Sequence, residues 1–241
     1  MRPRPPFRIP RNVAIAVAFG AIALAISLTS SRAAEQAVVI PPPAVDLPAA
    51  TGPQTAVVAG GCFWGVQGVF QHTAGVLKAV SGYAGGDKST AMYEIVGTGT
   101  TGHAEAVEIT YDPGRISYGR ILQIFFSVAH DPTQLNRQGP DIGTQYRSVI
   151  FTSGDAQKKV ADAYIAQLNA AKAFARPIVT TVDPLKGFYA AEDYHQDYLT
   201  LHPRQPYIVY NDLPKIESLK KLFTRDYVEK PTLVNAAKAT N

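Results

Sequence analysis

The stretch that most limits how this chain can fold is Thr55 to His72, TAVVAGGCFWGVQGVFQH. Its first part is a short β-rich run that ends in two glycines. Its second part places Phe63, Val66, Val69 and Phe70 at helical spacing. A strand therefore hands over to a helix across Gly60 and Gly61, and Cys62 falls at or near the helix N-terminus. The glycines let the chain turn sharply and let another molecule approach the backbone. Cys62 is the only cysteine in 241 residues.

The same pattern reading predicts strands at 76–83, 104–111, 147–152 and 178–182. A helix is expected over 117–129, with Ile121, Ile124, Phe125 and Val128 on one face and Ser117 as its cap. Two more are expected at 155–173 and 191–201. Strands mixed with helices imply a two-layer α+β or α/β domain.

The N-terminus has its own logic. Residues 1–33 carry five arginines and no acid, with an apolar run from Val13 to Leu28 and small residues at Ser31 and Ala33. That order reads as a signal peptide cut after Ala33, which predicts export to the periplasm or cell envelope. The competing reading is an uncleaved anchor, but the run falls short of the ~20 residues a spanning helix needs. Beyond Ala33 the chain has 18 Lys and Arg against 19 Asp and Glu, so the formal charge of +4 comes from the leader and does not point to nucleic acid. Residues 34–53 are rich in proline and read as an extended linker or arm. Residues 54–225 suit a single domain, and 226–241 read as a flexible tail.

Exported chains commonly pair their cysteines. A lone one is either a reactive thiol or a small buried hydrophobe. The setting of Cys62 favours reactivity. A helix N-terminus stabilises a thiolate and is expected to lower the thiol pKa, and Phe63 and Trp64 offer an apolar wall. A nucleophile also needs a proton manager. In GHAEAVEITYDP, strand alternation puts Glu105, Val107, Ile109 and Tyr111 on one face. Glu105 is then a carboxyl on an apolar face. Desolvation should raise its pKa and leave it protonated near neutral pH. Glu108, on the other face, reads as an ordinary solvated charge.

Two other patterns lead elsewhere. GTGTTG (residues 97–102) matches G-x-G-x-x-G, but a strand follows where a dinucleotide site needs a helix. One cysteine and five scattered histidines give no metal-ligand spacing, so no metal is expected. AEDYHQDYL places His195 and Tyr198 on the 191–201 helix, where capping and packing would explain them.

With these residues in place, the chain resembles the A-type peptide methionine sulfoxide reductases over about residues 54–215. The segments that carry the likeness are GGCFWGVQGVF, VSGYAGG, YEIVGTGTTGHAEAVEITYDP, AHDPTQLNRQGPDIGTQYRSVIF and AEDYHQDYL, in the family's order. The resemblance implies an α+β two-layer sandwich: a mixed sheet with flanking helices, arranged as a ferredoxin-like plait. It implies that a Cys62 thiolate attacks the sulfur of a methionine S-sulfoxide while Glu105 protonates the oxygen, leaving methionine and a Cys62 sulfenic acid. Phe63 and Trp64 would seat the S-methyl group. Tyr93 and Tyr146 would bind the sulfoxide oxygen, and Asp141 would order the polar side. The substrates implied are methionine S-sulfoxide in oxidised proteins or peptides or as the free amino acid, with no bound cofactor and contact with a membrane only if the leader stays uncut.

Two departures stand out. Many members have Glu where this chain has Gln67, to which no chemical role is assigned. Many also carry further cysteines near the C-terminus that resolve the sulfenic acid. Here none is present, so an external thiol is expected: a thioredoxin-like protein, a glutaredoxin-like protein or a small thiol. Two other classes stay open. A cysteine hydrolase would need His103, His130 or His195 beside the sulfur. A binding module would use the aromatics without turnover.

Overall fold

The computed structural model describes residues 37–234. The expected leader at 1–33 and the chain from 235 onward lie outside the described residues. The opening strand β1 (Gln54–Ala59) turns at Gly60 and Gly61 into helix α1 (Phe63–Gln71), with Cys62 at the N-cap. Gly61 makes the turn possible: its φ is +84°, and a Cβ there would lie 2.5 Å from Cβ of Gln138. Gly61→Ala is expected to destabilise the fold by about 2 kcal/mol or more. Chemical denaturation of the variant, read with its activity, tests this.

After α1 come β2 (Val76–Ala84), a one-turn helix α2 (Tyr93–Val96) and β3 (Ala104–Tyr111). Helix α3 (Tyr118–Ile124) widens into a π-helical turn at Phe125–Ala129. Ser117 Oγ accepts the Arg120 N–H at 3.1 Å, the cap expected from the sequence. A small hairpin, β4 (Arg137–Gln138) and β5 (Asp141–Ile142), leads to β6 (Val149–Thr152) and helix α4 (Asp155–Ala170). The chain ends with β7 (Thr181–Pro184), β8 (Phe188–Ala190), α5 (Tyr198–Leu201), a π-helical turn at Ile208–Asp212 and α6 (Leu213–Leu222).

Six strands form one sheet in the order β7-β6-β1-β3-β2-β8, antiparallel throughout except for β6 with β7. The fold is therefore α+β, a mixed sheet with flanking helices. One sheet face carries Val58, Val107 and Ile109 into a core shared with Phe63, Val66, Phe70, Ile121, Phe125 and Tyr164 of the helices. The other carries Val57, Ala59, Ala104, Ala106, Val149 and Phe151, covered in part by Leu185 and Phe188. The alternation expected along β3 is present: Glu105 lies on the face of the main core, between the small residues Ala104 and Ala106 of the other. Glu108 is only partly exposed, and burial raises its carboxyl against the pull of Lys78.

Three expectations are corrected. The strand placed at 178–182 pairs at 181–184, because Ile178 and Val179 give their N–H groups to Asn169 Oδ1 and Pro132 O outside the sheet. The helix placed at 191–201 is broken. Gln196 is extended and Asp197 is left-handed (φ +59°), leaving a 3-10 turn at Asp193–His195 and the short α5. The cause is the Gln196 side chain, which is drawn into the interior by bonds to Ser81 N, Ser81 O, Ala191 O and Gln67.

The proline-rich arm does not hang free where it is described. Val38 exchanges bonds with Ser127, Ile40 O accepts from Gln123, Pro41 O from Tyr164 and Pro42 O from Gln167, and Ile40 is buried. Three consecutive prolines hold the backbone extended, so its carbonyls face donors on α3 and α4. Nor is the tail loose at its start. Val228 and Thr232 donate to His72 O and Gln71 O, and Tyr227 bridges Thr73, so 226–234 pack along the end of α1.

Candidate active site

The strand-to-helix turn places Cys62 over β3. The Phe63 N–H donates to Glu105 Oε2 at 3.1 Å, so the first turn of α1 and the buried carboxyl are joined directly. Cys62 is 8% exposed and Glu105 4%. Burial is the main force on Glu105 and pushes its pKa up to about 8, against the Phe63 hydrogen bond and with help from Asp141 and Asp212. The carboxyl is therefore mostly protonated at pH 7, as its strand position suggested.

The thiol departs from the sequence expectation. The Trp64 N–H at the helix start does favour the thiolate, but burial and the charges of Glu105, Asp212 and Asp141 outweigh it, and the Cys62 pKa is raised. The site without substrate therefore holds a protonated thiol. The helix terminus lost because its effect is of order 1 kcal/mol, while desolvation of a fully buried anion costs several.

The other expected site residues surround this pair. Phe63 is fully buried, with its ring 5.0 Å from that of His195 and 5.9 Å from that of Tyr83. Trp64 is half-buried, stacked on Tyr198 at 3.8 Å and edge-on to Tyr207 at 5.9 Å. Its indole N–H donates to His195 Nδ1 at 3.2 Å, so the indole is held by a stacked ring, an edge-on ring and a bond at its polar edge. Tyr93, at the start of α2, packs its ring 4.4 Å from that of His195. Its backbone N–H is held by Glu192, which also accepts from Tyr83 Oη at 2.8 Å. Burial and then the Glu105 charge raise the hydroxyl pKa of both Tyr93 and Tyr146, and Cys62 contributes to each. Both phenols thus lie within electrostatic reach of the thiol and the carboxyl, and both stay protonated donors. Asp141, on β5, accepts a hydrogen bond from Tyr207 Oη. Burial raises its carboxyl, against Tyr207 and Lys215.

All seven residues singled out in the sequence are thus gathered at one place: Cys62, Phe63, Trp64, Tyr93, Glu105, Asp141 and Tyr146. Sequence reasoning missed Tyr207, Glu192 and the part played by His195 and Tyr198. His195 and Tyr198 are three residues apart, and that spacing on a helix was read as packing; what it could not show is that both partner Trp64. Tyr207 precedes a helix that also went unread, although Leu213, Ile216, Leu219 and Leu222 recur every three residues, with Pro214 at its start.

For the sulfoxide peptide that the resemblance implies as substrate, Tyr198→Ala should raise KM roughly tenfold with a smaller change in kcat, because it loosens the indole without touching the sulfur. Steady-state kinetics at fixed thiol concentration tests this.

The geometry disfavours a histidine-activated hydrolase. The His103 nitrogens engage Gly86 N and Asp87 O, and those of His130 engage Phe125 O and Ser148 Oγ. His195 Nδ1 is taken by Trp64, its Nε2 is buried without a hydrogen-bond partner, and among the described residues no hydrogen bond joins a histidine to Cys62. What the cluster offers is a thiol, a protonated carboxyl, two phenol donors and an apolar aromatic wall around one small space.

That combination suits reductive attack on a small polar oxide beside a methyl group, and comparison with known proteins agrees. The chain belongs to the peptide methionine sulfoxide reductase family, whose model matches residues 54–227. It is 65% identical over 193 residues to "Peptide methionine sulfoxide reductase MsrA 2" of Mesorhizobium japonicum, covering 80% of this chain and 99% of that one. It is 48% identical over 205 residues to the protein of the same name from Synechocystis, covering 83% and 96%. Among solved structures it resembles methionine sulfoxide reductase A of Corynebacterium diphtheriae, with a TM-score of 0.55 and 34% identity over 74% of this chain and 92% of that one. It also resembles reduced Mxr1 of Saccharomyces cerevisiae, with a TM-score of 0.59 and 33% identity over 67% and 92%.

Proposed function

We propose that Cys62 and Glu105 carry out the methionine sulfoxide reduction that defines this family, on the S epimer of sulfoxide in oxidised proteins or peptides. The observation that carries this reading is the buried contact joining Phe63 N to Glu105 beside Cys62. It sets a protonated carboxyl next to the thiol. As substrate enters, the Cys62 sulfur attacks the sulfoxide sulfur; the thiol proton passes to the Glu105 carboxylate as Glu105 gives its own proton to the oxygen, and the hydroxyl group then moves from the substrate sulfur to the Cys62 sulfur as the transient S–S bond breaks. Glu105 protonates the oxygen, supported by the Tyr93 and Tyr146 hydroxyls. Phe63 and Trp64 seat the methyl group, and Asp141 with Tyr207 orders the polar side. In net terms one thiol and one sulfoxide become one sulfenic acid and one thioether, so atoms and electrons balance.

An external thiol then reduces the sulfenic acid, because these 241 residues hold no second cysteine. A thioredoxin-like protein, a glutaredoxin-like protein or a small thiol would serve. The apolar segment near the N-terminus supports export, with action in the periplasm or cell envelope. Strands β6-β1-β3-β2, with α1 and α3 as crossovers, support a ferredoxin-like plait extended at its edges by β7 and β8.

The test is a single turnover of S- and R-methionine sulfoxide in a blocked peptide without reductant. Methionine from the S form alone, with a trapped Cys62 sulfenic acid, is expected. Turnover of both epimers, or a thiol left unmodified after methionine appears, would overturn the assignment.

A further inference from the structure

The segment that follows Tyr207 brings a second polar group to α1. Asp212, at the end of the π-helical turn, is fully buried, and Lys215, in the first turn of α6, is 7% exposed. Their charged atoms lie 3.5 Å apart. Both sit against Gly65, three residues after Cys62. A Cβ at Gly65 would lie 2.1 Å from Asp212 Oδ1 and 3.1 Å from Lys215 Nζ, so glycine is what lets the pair reach the helix backbone. Packing alone does not call for ions here, since a buried pair is commonly no more stabilising than apolar residues of the same volume.

We propose that Asp212 and Lys215 form a positioning pair for the reaction: through Gly65 they seat the first turn of α1, and together they set the field at Cys62 and Glu105, with the Asp212 carboxylate opposing negative charge there and the Lys215 ammonium moderating it. The proposal rests on Glu105 as the proton donor. Asp212 acts on Cys62, Glu105 and Tyr207 in the same sense, raising each, while Lys215 acts against the rise at Asp141.

The other titratable groups facing this turn come from every neighbouring element. Glu105 rises from β3, Asp141 and Tyr146 from the hairpin and the turn after it, Tyr93 from α2, Tyr207 from the chain before Asp212, and His195 from the turn before α5. His130 packs beneath Gly60. Burial lowers its pKa to about 3, with Lys215 acting in the same direction, so it stays neutral. Burial also lowers His195.

The experiment is the pH dependence of kcat/KM for a blocked methionine S-sulfoxide peptide with excess dithiothreitol, a quantity that reports groups of the free enzyme. Asp212→Asn removes a buried negative charge, so the whole profile should move to lower pH by about one unit. Lys215→Gln removes the opposing charge and should move it to higher pH by a similar amount. Lys215→Arg should keep the wild-type profile.

Profiles that coincide with wild type in both Asp212→Asn and Lys215→Gln, with only the melting temperatures lowered, would overturn the proposal and leave the pair a packing element. If Asp212→Asn does not fold, the two Lys215 variants decide, since both retain Asp212. Glu105→Gln is measured alongside. If it keeps the wild-type rate and profile, the proton-donor reading fails, whatever the pair does. If it alone changes them, only the role of the pair fails.

Discussion

Cys62→Ser should release no methionine from a sulfoxide peptide, a loss of roughly 10⁴-fold or more, while keeping its fold. The hydroxyl is close in size to the thiol and can occupy the same N-cap, a position that serine favours, so thermal stability should hold or rise slightly. It cannot form a sulfenic acid, and at neutral pH it is a far weaker nucleophile than sulfur. Wild type without reductant should stop after a single methionine per chain, because its only cysteine has been spent. Quantifying methionine against enzyme by mass spectrometry checks both statements. Continued turnover by wild type without any thiol would contradict the one-cysteine cycle, and so would an intramolecular disulfide.

Glu105→Gln should lower kcat/KM by about 10²–10⁴-fold at pH 7. The amide oxygen can still accept the Phe63 N–H, so the turn should keep its shape; what is lost is the proton for the leaving oxygen. The variant should also unfold differently with pH. In the folded protein the carboxyl is raised from 4.5 to about 8. The folded state therefore holds a proton that the unfolded chain gives up, and wild type loses stability as pH rises from about 4.5 through 8. Above pH 8 a charged carboxyl is buried in wild type, and Glu105→Gln should be the more stable protein by a few kcal/mol. Melting curves at pH 6 and pH 9 should show wild type falling more steeply than the variant. Parallel curves would mean that the carboxyl does not carry that proton.

How much of this was legible in the chain depends on the range of the forces involved. β3 was read to its ends because alternation is a local signal and β3 lies between two strands that enforce it. The turn at Gly61 and the Ser117 cap are local too. The helix expected at 191–201 failed because Gln196 finds its partners 115 and 129 positions away, at Ser81 and Gln67. Nothing nearby in sequence announces those bonds. Gln67, read as chemically silent, is one anchor of that buried network: it donates to Ala79 O and accepts from Asp197 N. The arm reads as extended and the tail as flexible because their composition lacks a period; neither reading shows what they pack against. They are held by backbone bonds to helices, which composition does not encode.

The sequence by itself determined where the nucleophile sits and what stands beside it. A β-to-helix switch across two glycines admits few shapes, and one alternating strand aims Glu105 inward. Only the tertiary structure decided how the site is charged. The helix terminus that favours a Cys62 thiolate is a short-range feature, visible in the chain. The burial that outweighs it, and the charges of Glu105, Asp141 and Asp212 that add to that burial, come from residues tens to more than a hundred positions distant. Desolvation is a property of everything that surrounds a group, so it exists only once the chain has closed around it.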